Sequence, residues 1–243
     1  MTQPIDLTDT LASIVTTHPD LARVLEVQGL DYCCGGNTSL QDACEPLGLD
    51  ADAVVAVLNE ADSGSGPQDW TRLDAASLVD HIESSHHAYL HAEMPRLAQL
   101  AAKVRSVHGA NHPELAEVER TFAALQADFD PHLAKEERVL FPMIRDLARG
   151  QAPPFPGGTM ANPIAAMRQE HDTAGDLIAL LRAHTDGYTT PPDACASYTA
   201  LYAGLAEFEA DTHLHVHKEN NRLFGLVDEL EAALPGAEAA VTR

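Results

Sequence analysis

The stretch His132-Leu-Ala-Lys135-Glu136-Glu-Arg-Val-Leu140-Phe141 recurs further along the chain as His215-Val-His-Lys218-Glu219-Asn-Asn-Arg-Leu223-Phe224. Both copies fit His-x-x-Lys-Glu-x-x-x-Leu-Phe. A His and a Glu four residues apart on an α-helix lie about 40° apart around its axis and one turn along it, so they share a face. One such pair on an acidic helix is an ordinary solvated i,i+4 pair. Two copies in register, with Lys, Leu and Phe also matched, point instead to two related helical hairpins facing each other across a pseudo-twofold axis. Two inward-facing pairs offer two imidazoles and two carboxylates to one cavity. Carboxylates bridge cations and imidazoles terminate them, which is how helical bundles build di-metal sites.

The surrounding pattern is helical throughout. Long helices are expected over about Asp74–Val107, Pro113–Arg149, Pro163–Thr185 and Asp193–Leu234, with Gln151-Ala-Pro-Pro-Phe-Pro-Gly-Gly-Thr159 as the long central loop. No segment alternates at period two, so the expected fold is all-α, with these four helices forming a four-helix bundle. Residues 1–60 read as a separate small helical unit. Thr8 or Asp9 caps its first helix, a second runs from Pro19 to Gly29, Thr38-Ser39 cap a third, and Asp50 or Asp52 opens a fourth. The polar, Gly- and Ser-rich run from Asn59 to Asp69 reads as flexible, dividing the chain into a domain at 1–60, a linker at 61–73 and a bundle at 74–234.

Composition narrows the function. The 243 residues carry 15 Lys+Arg against 37 Asp+Glu, a net charge of −22. Such a surface repels phosphate backbones and anionic lipid, so neither nucleic acid nor a membrane is an expected partner. No apolar run spans a bilayer, and the N-terminal residues lack the basic and apolar regions of a secretory signal. The four cysteines, Cys33, Cys34, Cys44 and Cys195, are too few and too irregular for a disulfide scaffold. A reducing cytoplasmic location is expected.

Further ligands must come from the first and third helices. The third offers His171, with His184 as a rival near its end; the first offers His81, His86, His87 and His91. Periodicity does not choose between His86 and His87. Carboxylate and imidazole without thiolate suit iron or manganese. His18, His108, His112, His184, His213 and His217 read as surface residues, and Cys44 and Cys195 as space-filling. The adjacent Cys33-Cys34 lie in a turn before a helix N-terminus, where the dipole is expected to lower their pKa and suit them to redox chemistry or iron transfer.

Asp31-Tyr-Cys-Cys-Gly-Gly36, His87, His132-x-x-Lys-Glu136-Glu-x-x-Leu-Phe-Pro142, Glu170-His171-Asp172 and His215-x-x-x-Glu219-Asn-Asn together resemble the RIC (repair of iron centres) family, also called ScdA. The resemblance spans roughly residues 5–228. It implies a hemerythrin-like bundle with two irons held by His87, His132, Glu136, His171, His215 and Glu219. Glu136 and Glu219 then bridge the irons together with an oxo or hydroxo group. The choice of His87 comes from this resemblance.

The chain departs from the family pattern at Leu223-Phe224-Gly225, where Pro usually follows Phe, and its tail beyond about Glu231 has no counterpart. The implied function is repair of iron–sulfur clusters damaged by nitric oxide or oxidants, by supply of iron, with damaged iron–sulfur proteins as partners. Alternatives are a nitric oxide or peroxide reductase acting on a diatomic ligand at the di-iron site, and a gas or redox sensor. A monomer and a dimer fit the sequence equally.

Overall fold

The structure is a computed structural model and describes residues 4–64, 68–154 and 159–234. Parts of the expected linker (65–67), of the central loop (155–158) and of the tail (235–243) lie outside these. Among the described residues there is no strand, only one isolated bridge between Thr10 and Ser39. The all-α expectation holds. Among the described residues no helix is long and apolar enough to cross a membrane. The chain divides into two compact units, residues 1–78 with 213–243, and residues 79–212.

In the first unit, α1 (Leu11–Thr17) is capped by the Thr10 hydroxyl, which accepts from the Ser13 N–H. The cap is therefore Thr10 and neither Thr8 nor Asp9. Asp6 engages the Thr8 backbone and hydroxyl, so that Thr8 belongs to the preceding turn. Pro19–Leu21 make a 3-10 turn leading into α2 (Ala22–Gln28), which stops at Gly29 with a left-handed φ of 73°. Ser39 caps α3 (Leu40–Cys44) and Asp50 caps α4 (Ala51–Ala61). The apolar faces of these short helices close around Leu11, Ile14, Leu25, Tyr32 and Leu40, joined by Val216. Asp69–Arg72, expected as linker, form a 3-10 turn that buries Trp70 to 3% exposure.

In the second unit, α5 (Ala75–Ile82) leads through a π-helical turn into α6 (Ala88–His108). Then come α7 (Leu115–Lys135), α8 (Phe141–Ala148), α9 (Ala161–His184) and α10 (Ala196–Lys218), which is followed by α11 (Phe224–Ala232). The unit's core draws on α6, α7, α9 and α10, as the four-helix reading requires. Phe122, Phe129 and Phe208 anchor it, with edge-on ring contacts at 5.5 Å (Phe122–Phe208) and 6.1 Å (Phe129–Phe208). Residues beyond Thr212 belong to the first unit.

Phe208→Ala removes the ring common to both contacts and leaves a cavity. It should lower unfolding free energy by about 3–5 kcal/mol in chemical denaturation. A loss below about 1 kcal/mol would show that this cluster does not anchor the bundle.

Candidate metal centre

In the second unit His87, His132, Glu136 and His171 are all buried, none above 3% exposed. His132 lies near the end of α7 and Glu136 opens the π turn that follows it, four residues on, so the i,i+4 geometry read from the echo is realised: His132 Nε2 lies 3.3 Å from Glu136 Oε2. His87 Nε2 approaches the same oxygen at 3.4 Å. His171, on α9, meets His132 ring to ring at 5.0 Å. His132, Glu136 and His171 present one donor atom each, all within 4.8 Å of one another, a cluster able to hold a metal ion. In the first unit His215 Nε2 and Glu219 Oε1 repeat the pair at 3.2 Å, both with 0% exposure.

The Glu136 carboxylate tests whether a cation fits. It is fully buried, and neither oxygen has a hydrogen-bond donor. An isolated ionised carboxylate in that state is costly, and the usual remedies are donors, an ion pair or a metal. Imidazole nitrogens at both sides and no thiol make a donor set suited to iron or manganese. The residues fit.

The imidazoles are held from behind. His132 Nδ1 lies 2.9 Å from Glu170 Oε2, and Lys135 pairs with the other Glu170 oxygen. His87 Nδ1 lies 3.1 Å from Glu137 Oε1, which is also 2.7 Å from His91 Nε2. A proton on each Nδ1 donates to these carboxylates and leaves each Nε2 lone pair for the cluster. Burial pushes the Glu137 carboxyl up, but hydrogen bonds from His91 and His87 outweigh it and hold the group below its ordinary range. Glu170 is likewise held down against burial by Lys135 and His132. His86, buried beside His87, instead pairs its Nδ1 with Asp211 at 2.8 Å.

Three five-residue π turns accompany these residues: Glu83–His87, Glu136–Leu140 and Glu219–Leu223. Such turns shift the register of the following helix and concentrate at functional sites. Pro142, which has no N–H, hints at the second. The third forms with Gly225 in the matching place, so the Leu-Phe-Gly departure leaves the local helix geometry unchanged.

Several expectations are corrected. His18 and His217 are buried at 3% and 0%, the first paired with Asp62 at 3.1 Å, the second packed edge-on against Tyr32 and Trp70. Cys33 is buried, and its thiol is pushed well up by the neighbouring Cys34 thiol, by burial and by Asp31, the reverse of the expected lowering. The helix after this turn has only five residues, too little dipole to offset burial. Asp31 organises the turn: its carboxylate accepts the N–H groups of Cys33, Cys34 and Gly35, each at 2.9 Å, and the Cys33 thiol at 3.1 Å. Asp31, Cys33 and Cys34 form another group able to hold a metal ion. Cys195 is exposed instead of space-filling, with Sγ 3.1 Å from His108 Nε2. The Tyr198 backbone N–H and the His108 ring bring its pKa down to about 7.

The comparisons bear on this site directly. Residues 77–227 match the hemerythrin HHE cation-binding domain, and residues 7–62 match ScdA_N, a domain of unknown function (DUF542). The fold and the buried His/Glu cluster thus define a hemerythrin-type cation-binding protein. The chain is 33% identical over 218 residues to a probable iron–sulfur cluster repair protein of Haemophilus influenzae, covering 88% of this chain and 94% of that one. It is 33% identical to the iron–sulfur cluster repair protein YtfE of Cronobacter sakazakii, with 88% and 93% covered. It is 32% identical to the repair protein ScdA of Staphylococcus haemolyticus, with 88% and 95% covered. This chain belongs to the iron–sulfur cluster repair family that these proteins represent.

With a pKa near 7, Cys195 should be the fastest thiol towards iodoacetamide at neutral pH, with a rate half-maximal near pH 7. Cys195→Ser should abolish that phase, and His108→Ala should move its midpoint upward. Persistence of the fast phase in Cys195→Ser would refute the assignment.

Proposed function

We propose that this chain repairs iron–sulfur clusters damaged by nitric oxide or oxidants, supplying iron from a di-iron centre to a damaged cluster. The observation that carries the reading is the Glu136 carboxylate, buried without a hydrogen-bond donor between two imidazoles. Its setting, a chain alignable over most of its length with named repair proteins, supports the same reading.

The residues that would hold the metal are His87, His132, Glu136, His171, His215 and Glu219. The repeated His-x-x-Lys-Glu motif and the burial of both His/Glu pairs support this set. Iron bound there supplies a redox-variable Lewis acid whose affinity depends on its oxidation state. Glu137 and Glu170 orient the imidazoles, so the ligands need little rearrangement when metal arrives. Cys33 and Cys34, with Asp31, serve as acceptor or docking point for iron on its way to the client. Free thiols at all four cysteines suit a reducing cytoplasm.

Protein purified without added metal should carry about two irons per chain, as a bridged carboxylate bundle holds. A Glu136→Ala/Glu219→Ala variant should carry almost none. A Cys33→Ser/Cys34→Ser variant should keep its iron and lose reactivation of a nitric-oxide-damaged cluster protein. Equal iron in wild type and the glutamate variant would overturn the metal assignment, and full reactivation without the thiols would remove them from the pathway.

A further inference from the structure

Asn220 and Asn221 follow Glu219 directly in the chain, and the metal site leaves them without a task. In the first unit they reach the cysteine turn. Asn221 Nδ2 donates to the Cys33 carbonyl at 3.0 Å and to the Tyr32 carbonyl at 3.3 Å. Asn220 Nδ2 donates to the Cys33 carbonyl at 3.3 Å. His217 adds to the grip, its Nδ1 lying 3.2 Å from the Tyr32 carbonyl and its Nε2 3.2 Å from the Thr16 hydroxyl. A ring with its proton on Nδ1 donates to Tyr32 and accepts from Thr16, satisfying both contacts.

The approach is close. A Cβ on Gly36 would stand 2.6 Å from the Tyr32 carbonyl, 2.8 Å from Asn221 Oδ1 and 2.9 Å from the Ala12 Cβ, so only glycine fits. Residues Tyr32 and Cys33 lie in an irregular segment, and buried carbonyls there need donors from outside their own backbone. The asparagines provide them. Because the grip is on carbonyls, both sulfur atoms stay outside it: the Cys33 thiol keeps its contact with Asp31, and the two sulfurs lie 3.8 Å apart.

We propose that Asn220 and Asn221 are positioning residues for the Cys33–Cys34 thiol pair, seating the cysteine turn by its backbone carbonyls on the helical turn that begins with Glu219. The thiols and this carboxylate then move as one piece, and the pair does not swing on a tether. The role given to the seat rests on the iron-transfer reading of the thiols, whereas the seat itself is read out by thiol accessibility without any client protein.

The test is peptide-resolved iodoacetamide labelling of the full-length protein as purified, comparing wild type with Asn221→Asp, Asn220→Asp and the double variant. Aspartate keeps the shape of asparagine but replaces a donor with an acceptor facing those carbonyls. The double variant should label Cys33 and Cys34 about tenfold faster or more, through local opening of the turn. Cys44, buried at 1% in the same unit, reports general loosening and should keep its wild-type rate. Asn221→Asp should exceed Asn220→Asp, since Asn221 makes two of the three amide bonds. If the double variant does not fold, this ranking of single variants decides. Unchanged Cys33 and Cys34 rates, a parallel rise at Cys44, or the reverse ranking would overturn the proposal. Cluster repair persisting in Cys33→Ser/Cys34→Ser would remove the iron-transfer reading and leave the seat standing.

Discussion

A carboxylate without hydrogen-bond donors in a protein interior is a debt that something must settle, and Glu136 is that carboxylate. Its side chain is completely buried, with both oxygens in the same condition. Were it merely structural, substitution by an apolar residue of similar size would be neutral or stabilising. Keeping the charge makes sense where a cation is to be held. Much of the second unit reads as support for that one group. The α6–α10 core fixes the helices, and the imidazoles of His87 and His132 are turned towards Glu136 by the carboxylates behind them.

That support is partly electrostatic. Glu137 and Glu170 are both held below the ordinary carboxylate range by the groups they contact, so they remain charged under mildly acidic conditions and keep accepting from the imidazoles. Lys135, the Lys of the echoed motif, acts here: it pairs with Glu170, which in turn holds His132. The Phe of the motif has a comparable part, since Phe141 stacks on the His87 ring at 5.3 Å. The first copy of the motif is therefore a His/Glu pair together with residues that fix the orientation of the imidazoles beside it.

Much of this was legible in the chain. The 3.6-residue periodicity located the long helices, and the His/Glu spacing located the buried pairs, because both depend on local geometry that sequence encodes directly. His87 over His86 was not legible from periodicity, since both end up buried and what separates them is which carboxylate each meets: Glu136 and Glu137 for one, Asp211 for the other. The three π turns went unread because an added residue per turn leaves almost no mark on composition. His217 was misread for a related reason. Its burial depends on Tyr32 and Trp70, which are distant in sequence, and on a turn at Asp69–Arg72 that looks like linker. The Cys33 pKa is set in the same way by neighbours that a helix dipole does not represent: the adjacent Cys34 thiol, burial and the Asp31 charge all push it up.

The raised Cys33 thiol bears on the second candidate metal group, Asp31, Cys33 and Cys34. Metal binding requires a thiolate, so a cation entering the Asp31, Cys33 and Cys34 group must displace at least one proton held more firmly than usual. The His/Glu cluster contains no thiol, so a cation there displaces no thiol proton. On the iron-transfer proposal, the thiols would serve as a pH-dependent station for a cation. A Cys33 thiol that holds its proton is also less exposed to oxidation than a thiolate, since the thiolate is the reactive form. On that proposal, burial of Cys33 in its turn would protect the same group that later gives up its proton.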